Sequence, residues 1–399
     1  MSATDAVVVG GGIVGLALCD ECLRRGFRVT LVESSPRSVG ASVRNFGMIW
    51  PIGQPPGPLH ARALRSRARW IEVLSDAGIP FRRMGSLHAS CGPDETAVLA
   101  EFAALHGADY GARMIDGREA CARSPALDSD RVEAALLSET ELGVDPPATI
   151  AALARHLAAR GADLRFGAHC VAARAGGVEL ASGERIDAGL VFVATGAAFR
   201  TLRPADYARS SITPCALQMM RTVPQPAGFD IGPHLAGALT LLHYRAFSDC
   251  PSLPALRARL ESERADAIAH GIHVLAAQGF DGGVVLGDTH EYGDGAGFTQ
   301  REALDAIVLR ELAAFARLPD PRIAERWMGV YAKRADGGSE FISQPEPGLW
   351  IVNGLGGNGM TLSFGLAAEV LDEVLAEVAA DVPADVPDGN GRGTPEDAS

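Results

Sequence analysis

Val7-Val8-Val9-Gly10-Gly11-Gly12-Ile13-Val14-Gly15-Leu16-Ala17 decides how the rest of the chain is read. β-branched residues run into glycines, and an apolar helical pattern follows. Gly10, Gly12 and Gly15 keep the G-x-G-x-x-G spacing. One glycine makes a tight turn, one lets backbone approach a pyrophosphate, and one lets helix and strand pack closely. Ile13 and Val14 open the helix, whose unpaired N–H groups and positive dipole end suit phosphates. A second strand, Phe27-Arg28-Val29-Thr30-Leu31-Val32-Glu33, ends in an acid, with Ser34 beside it. Glu33 lies 18 residues after Gly15, near the spacing of about 20 at which a carboxylate accepts from ribose hydroxyls. The pattern predicts a bound dinucleotide. A glycine turn that serves packing alone is the competing reading.

The chain has 399 residues, enough for two domains and a sizeable core. It is 47% apolar and 21% charged, with a net charge of −13. That sign disfavours nucleic acid as a partner, although a local basic patch still suits an anionic substrate. The chain enters a strand almost at once, without the basic and apolar regions of a signal peptide. No run approaches the roughly 20 apolar residues of a membrane span. The seven cysteines, an odd and scattered set, suggest reduced thiols and a cytoplasmic location. Cys19 and Cys22 form a C-x-x-C, but on one face of the first helix, where packing is the expected role. No Cys or His spacing reads as a metal site.

Residues 34–58 form a long loop rich in glycine and proline, of the kind that usually carries function. It holds Ser42, Arg44 and Asn45. A helical period from His60 to Ala77 carries Arg62, Arg65, Arg67 and Arg69, read as a solvated face. Residues 81–92 alternate like a strand and 94–106 read as a helix. Asp145 caps a helix that begins with Pro146 and Pro147. A hairpin is expected at Gly176-Gly177, and Leu190 to Val193 reads as a buried parallel strand running into Thr195 and Gly196. Strand-like pieces follow at 215–222, 238–243 and 284–288, around a helical stretch from Ser252 to Ala269. Another helix is expected from about Gln300 to Ala316.

The last informative block runs from Gly348 to Glu369 and repeats the logic of the first: strand, glycine cluster, apolar helix. A nicotinamide enzyme needs only the first such unit, whereas a flavin enzyme has a use for both. Negative charge collects near N1 and the C2 carbonyl of a reduced isoalloxazine. A helix N-terminus with bare N–H groups from Asn358 to Thr361 stabilises it. Gly356, Gly357 and Gly359 let the backbone come close. After about Val382 the composition is that of a disordered tail, 383–399.

Gly10-x-Gly12-x-x-Gly15 with Glu33, Ala194-Thr195-Gly196, Trp327-Met328-Gly329-Val330-Tyr331 and Gly356-Gly357-Asn358-Gly359-Met360-Thr361-Leu362 together resemble the D-amino acid oxidase/glycine oxidase/sarcosine oxidase family, over about residues 5 to 380. The resemblance implies an α/β fold, α+β in its inserted part. A Rossmann-like FAD-binding domain (1–80, 145–212 and 326–382) carries a substrate domain with a mainly antiparallel sheet (81–144 and 213–325). It implies oxidation of an amine C–N bond by hydride transfer to the flavin, then hydrolysis of the imine. In family members a carboxylate-gripping arginine stands where this chain has Tyr331, and a lysine where it has Thr361. A flavin-attaching cysteine is replaced by Gly329, which implies non-covalent FAD. A lysine that assists oxygen falls near Val285, so O2 and another electron acceptor both stay open. The stretch from Gly40 to Pro51, with Gly287-Asp288-Thr289-His290-Glu291-Tyr292, resembles a narrower branch associated with aminophosphonate breakdown. That branch implies 2-aminoethylphosphonate or its N-methyl derivative as substrate.

A phosphonate needs cationic or hydroxyl donors. The candidates are Tyr331, Arg44, His243, His290 and Lys333, with Tyr244, Arg245 and Arg334 as lesser ones. Expected FAD contacts are Gly10, Gly12, Ile13, Val14, Gly15, Glu33, Ser34, Ser42, Arg44, Asn45, Thr195, Gly196, Gly356, Gly357, Asn358, Gly359, Met360 and Thr361. Val171 is placed by position to meet adenine through its main chain. Glycine or sarcosine oxidation is the alternative within the class. A nicotinamide dehydrogenase and a non-catalytic flavin-binding protein are the alternatives outside it. The oligomeric state stays open.

Overall fold

Strand Ala6–Val9 is buried throughout, as an apolar run must be when helices or sheets cover both faces of a parallel sheet. It lies in a six-stranded sheet, with Val29–Glu33 on one side and Leu190–Val193 on the other, both parallel to it. Asp163–Phe166 and Leu349–Asn353 extend the sheet in parallel, and Phe341–Glu346 closes one edge antiparallel. The computed structural model describes residues 4–295 and 297–380. The expected tail, 383–399, lies outside the described residues.

Helices Ile13–Arg24, Pro58–Asp76 and Gly359–Ala380 pack into one apolar core against this sheet. Cys19 and Cys22 are buried in that core, and burial pushes the Cys22 thiol up to about 12, so both act as packing. The hairpin at Gly176-Gly177 forms as expected, in a three-stranded sheet from Cys170 to Asp187 that packs on the other face. Asp145 caps the helix Pro146–Ala159, accepting from the Ala148 N–H at 2.9 Å.

The arginines of Pro58–Asp76 correct the reading of a solvated face. Arg62 pairs with Glu340 at 2.8 Å and Glu369 at 2.6 Å, and Arg67 donates to the Thr140 carbonyl. Arg69 pairs with buried Asp20 at 2.8 Å, and Arg160 joins the same carboxylate. The helix stands between two other elements, so its polar face meets carboxylates rather than water alone. Asp20→Asn would take the counter-charge from Arg160 and leave Arg69 only its pair with the more exposed Glu72, at 2.9 Å. It is expected to cost about 3 kcal/mol, read as a lower urea midpoint at unchanged slope.

A second, nine-stranded sheet holds Ser86–Ser90, Ala112–Asp116, Ala134–Ser138 and the strands between 212 and 334. It is antiparallel apart from the pairing of His234–Ala236 with Ser86–Ser90. Its longest pairing joins Ile212–Thr222 to Ile323–Arg334. The break expected at 325/326 therefore falls inside a strand of this sheet. The expected strand at 238–243 is instead the helix Leu239–His243. A short apolar run has no readable period, and Ala, Leu and Thr permit either state. A small sheet of Met48–Ile49, Leu142–Gly143 and Arg82–Arg83 joins the loop to this region.

Glu141 is fully buried. It accepts from the Ile52 N–H (3.2 Å), the Thr140 hydroxyl (2.7 Å) and the Ser86 hydroxyl (3.1 Å). Burial outweighs these bonds and holds its carboxyl above the usual range. A raised native pKa means that stability is fullest below the unfolded pKa and falls as pH rises through the native one. Glu141→Gln is expected to flatten that fall from about pH 4 upward, as measured by urea midpoints across pH.

Candidate active site

The two glycine turns open into one cleft of about 460 Å³, within the usual range for a cofactor or ligand site. Gly10, Gly12, Ile13 and Val14 line it on one side, and Gly356, Gly357, Gly359 and Met360 on the other. Glu33 and Ser34 line its nucleotide end, and Thr195 and Gly196 its floor. Ser42, Arg44 and Asn45 come from the loop, and Tyr331 from the long strand.

Local packing forces this shape. A Cβ at Gly10 would stand 2.3 Å from the Ala194 carbonyl oxygen, and Gly10 has φ +117°. One at Gly15 would stand 1.9 Å from the Gly10 oxygen. Gly15 thus seats the helix on the turn and does not itself line the cleft. The Ile13 N–H, free at a helix start, donates to Ser42 Oγ at 2.9 Å. Glu33 accepts from the Gly11 and Ser35 N–H groups at 2.7 and 2.8 Å, which fixes the carboxylate beside the ribose end. The later turn leads into Gly359–Ala380, a 22-residue helix whose first residues face the cleft.

Other expected contacts sit differently. Asn358 accepts from the Gln54 amide at 3.0 Å. Thr361 is buried and accepts from the Trp50 N–H at 2.9 Å. Both hold the loop against the second turn and lie behind the lining. Val171 is 47% exposed, and the lining at that point is Ala168, His169 and Cys170.

Tyr331 and Asp288 stand together in the wall. Burial, with Cys215 and Asp288 near, holds the Tyr331 phenol well above its usual range, so it keeps its proton as a donor. Arg44 is partnered by the Met328 carbonyl at 3.1 Å and forms no ion pair with any described residue. Lys333 is turned away, donating to the Tyr292 hydroxyl at 2.9 Å. Arg334 is paired with Asp336 at 2.5 Å, and Arg245 reaches the Gly337 carbonyl at 3.4 Å.

His243 and His290 lie behind Tyr331 rather than in the lining; the His290 and Tyr331 rings are 6.4 Å apart. Burial lowers His290 to about 4 and His243 well below its usual value, so both are neutral near pH 7. Beside them stand Asp288 and His273, which the sequence reading did not single out. No local spacing marks His273; only its position two residues before the strand Leu275–Gln278 hints at it.

Two strand–glycine–helix units closing on one cleft, with a carboxylate at the nucleotide end and a helix start at the other, define a dinucleotide-binding oxidoreductase of the flavin type. The chain belongs to the DAO family, FAD dependent oxidoreductases, which it matches over residues 5–373. FAD is therefore its cofactor, and the nicotinamide alternative is set aside. The fold is shared with glycine oxidase from Geobacillus kaustophilus (TM-score 0.73, 20% identity, 94% of this chain and 95% of that one). It is shared too with L-proline dehydrogenase from P. horikoshii (TM-score 0.74, 22% identity, 93% and 94%). Among curated sequences, mitochondrial L-2-hydroxyglutarate dehydrogenase of Arabidopsis thaliana is 33% identical over 139 residues. That match spans 34% of this chain and only 28% of the plant protein's length. No helix among the described residues is long and apolar enough to cross a membrane.

Proposed function

We propose that this enzyme oxidises the C–N bond of a small anionic amine, 2-aminoethylphosphonate or its N-methyl derivative, to phosphonoacetaldehyde. The observation that supports the reading is Arg44, a guanidinium at the cleft without a carboxylate partner among the described residues, with the Tyr331 hydroxyl in the same lining. Together they offer an anion several donors. FAD, when bound, supplies a two-electron acceptor for the hydride leaving the carbon that bears nitrogen. The protein holds that carbon against the ring, and its buried wall excludes water until the imine forms. Water then adds to the imine carbon, and ammonia or methylamine leaves with the nitrogen. We infer that the flavin is held without a covalent bond: Gly329 lines the cleft, and the family resemblance puts an attaching cysteine of some members at this position. Acid precipitation is expected to release it into the supernatant.

Anaerobic mixing with 2-aminoethylphosphonate, its N-methyl form, glycine and sarcosine tests the reading. Bleaching of the flavin by the phosphonates is the expected result. Bleaching by glycine or sarcosine alone would replace it with amino acid oxidation of the glycine oxidase kind. Repeating the turnover in air, and then with a dye, decides between oxygen and another acceptor.

A further inference from the structure

Three histidines far apart in sequence meet behind the wall of the cleft. His243 ends the helix Leu239–His243, His273 precedes the strand Leu275–Gln278, and His290 follows the strand Val284–Gly287. One ring nitrogen from each lies within 4.8 Å of the other two. His273 and His290 are 3% and 7% exposed, and His243 is partly buried.

Each of the two buried rings has an oxygen close to its Nδ1. His290 Nδ1 is hydrogen-bonded to the Gly271 carbonyl oxygen at 3.0 Å, and His273 Nδ1 stands 2.9 Å from Asp288 Oδ1 without hydrogen-bond alignment. An Nδ1–H directed at an oxygen leaves the lone pair on Nε2. Metal-ligating histidines are held in this way, by a carboxylate or carbonyl that fixes the tautomer and raises the basicity of the other nitrogen. The ring centroids are 3.7 Å (His243–His273), 4.8 Å (His243–His290) and 5.2 Å (His273–His290) apart. No hydrogen bond joins one of these imidazoles to another among the described residues. Three imidazole nitrogens gathered this closely form a donor set that a single cation can draw on.

We propose that His243, His273 and His290 bind one divalent transition-metal ion of the zinc class, with Asp288 orienting His273. Three imidazoles suit zinc, nickel, copper(II) or iron(II). They do not suit calcium or magnesium, which take oxygen ligands. Three protein nitrogens leave a fourth position for water or a small anion. The site does not depend on which amine the flavin oxidises.

The test uses the FAD-loaded protein, stripped of metal by a chelator and then titrated with Zn2+ and, separately, Co2+. One ion bound per chain is expected, with the visible absorption of a four-coordinate Co2+ centre. His273→Ala and His290→Ala are expected to abolish binding. His243→Gln, at the least buried position, serves if either fails to fold, with retained flavin absorbance as the check on folding. Asp288→Asn keeps all three ligands and is expected to weaken binding by roughly 10- to 100-fold. Absence of stoichiometric binding to the wild type would overturn the proposal. So would binding that is unchanged in the folded histidine variants, which would place the ion elsewhere.

Discussion

Gly15→Ala is expected to leave the protein without its flavin. The new methyl would stand 1.9 Å from the Gly10 carbonyl oxygen. That is backbone, fixed in turn by the parallel pairing of Ala6–Val9 with both neighbours, so no flexible side chain can move aside. The helix Ile13–Arg24 must shift, and its N-terminus leaves the pyrophosphate position. An overpacked site of this kind costs roughly 3 kcal/mol. If that falls on the bound state, FAD affinity drops about 100-fold. Fluorescence titration of the apoprotein measures it. Wild-type affinity in the variant would show that the first turn does not carry the cofactor. Gly26→Ala is the control. Unlike Gly15 it has a positive φ, +83°, but a Cβ there meets nothing within 4 Å, so only modest strain and no loss of flavin are expected.

Arg44→Ala and Tyr331→Phe are expected to weaken substrate binding while FAD stays bound. In the proposed complex Arg44 lends a charge-assisted hydrogen bond, and its loss is expected to raise KM about 10- to 100-fold. The Tyr331 hydroxyl is a neutral donor, so Tyr331→Phe is expected to raise KM by roughly 5- to 10-fold. If the anion contacts are equal in ground and transition states, kcat holds nearly constant. Steady-state kinetics with the proposed phosphonates, beside flavin absorbance, gives both readings. Wild-type KM in both variants would move the anion pocket elsewhere in the cleft.

The nucleotide half was legible because its signals are local. Val7 to Ala17 and Gly348 to Glu369 each hold strand, turn and helix within about twenty residues, and Asp145 announces its helix by itself. The inserted half was harder to read. Ser86–Ser90 is read as a strand from the alternation of residues 81–92, yet every one of its positions is buried. Leu239–His243 is too short to show a helical period. Candidate site residues divide in the same way. Arg44 and Tyr331 were found beside glycine motifs, and both reach the cleft. His273 meets Asp288 and His290 only when two separate segments fold together. Asn358 and Thr361 lie within a motif yet face the loop through Gln54 and Trp50, because alternate residues of a tight turn point in different directions.

The six-stranded sheet draws its members from three distant parts of the chain: Ala6–Val9 with Val29–Glu33, Asp163–Phe166 with Leu190–Val193, and Phe341–Glu346 with Leu349–Asn353. During translation the first pair leaves the ribosome long before the last. A nascent chain that has reached Thr222 already has the ribose end and lacks the helix start that meets the ring. Seating of the whole cofactor must then wait until Gly359–Ala380 has emerged. Until that moment the exposed edge of Leu190–Val193 stays open to wrong partners, and free FAD offers little protection.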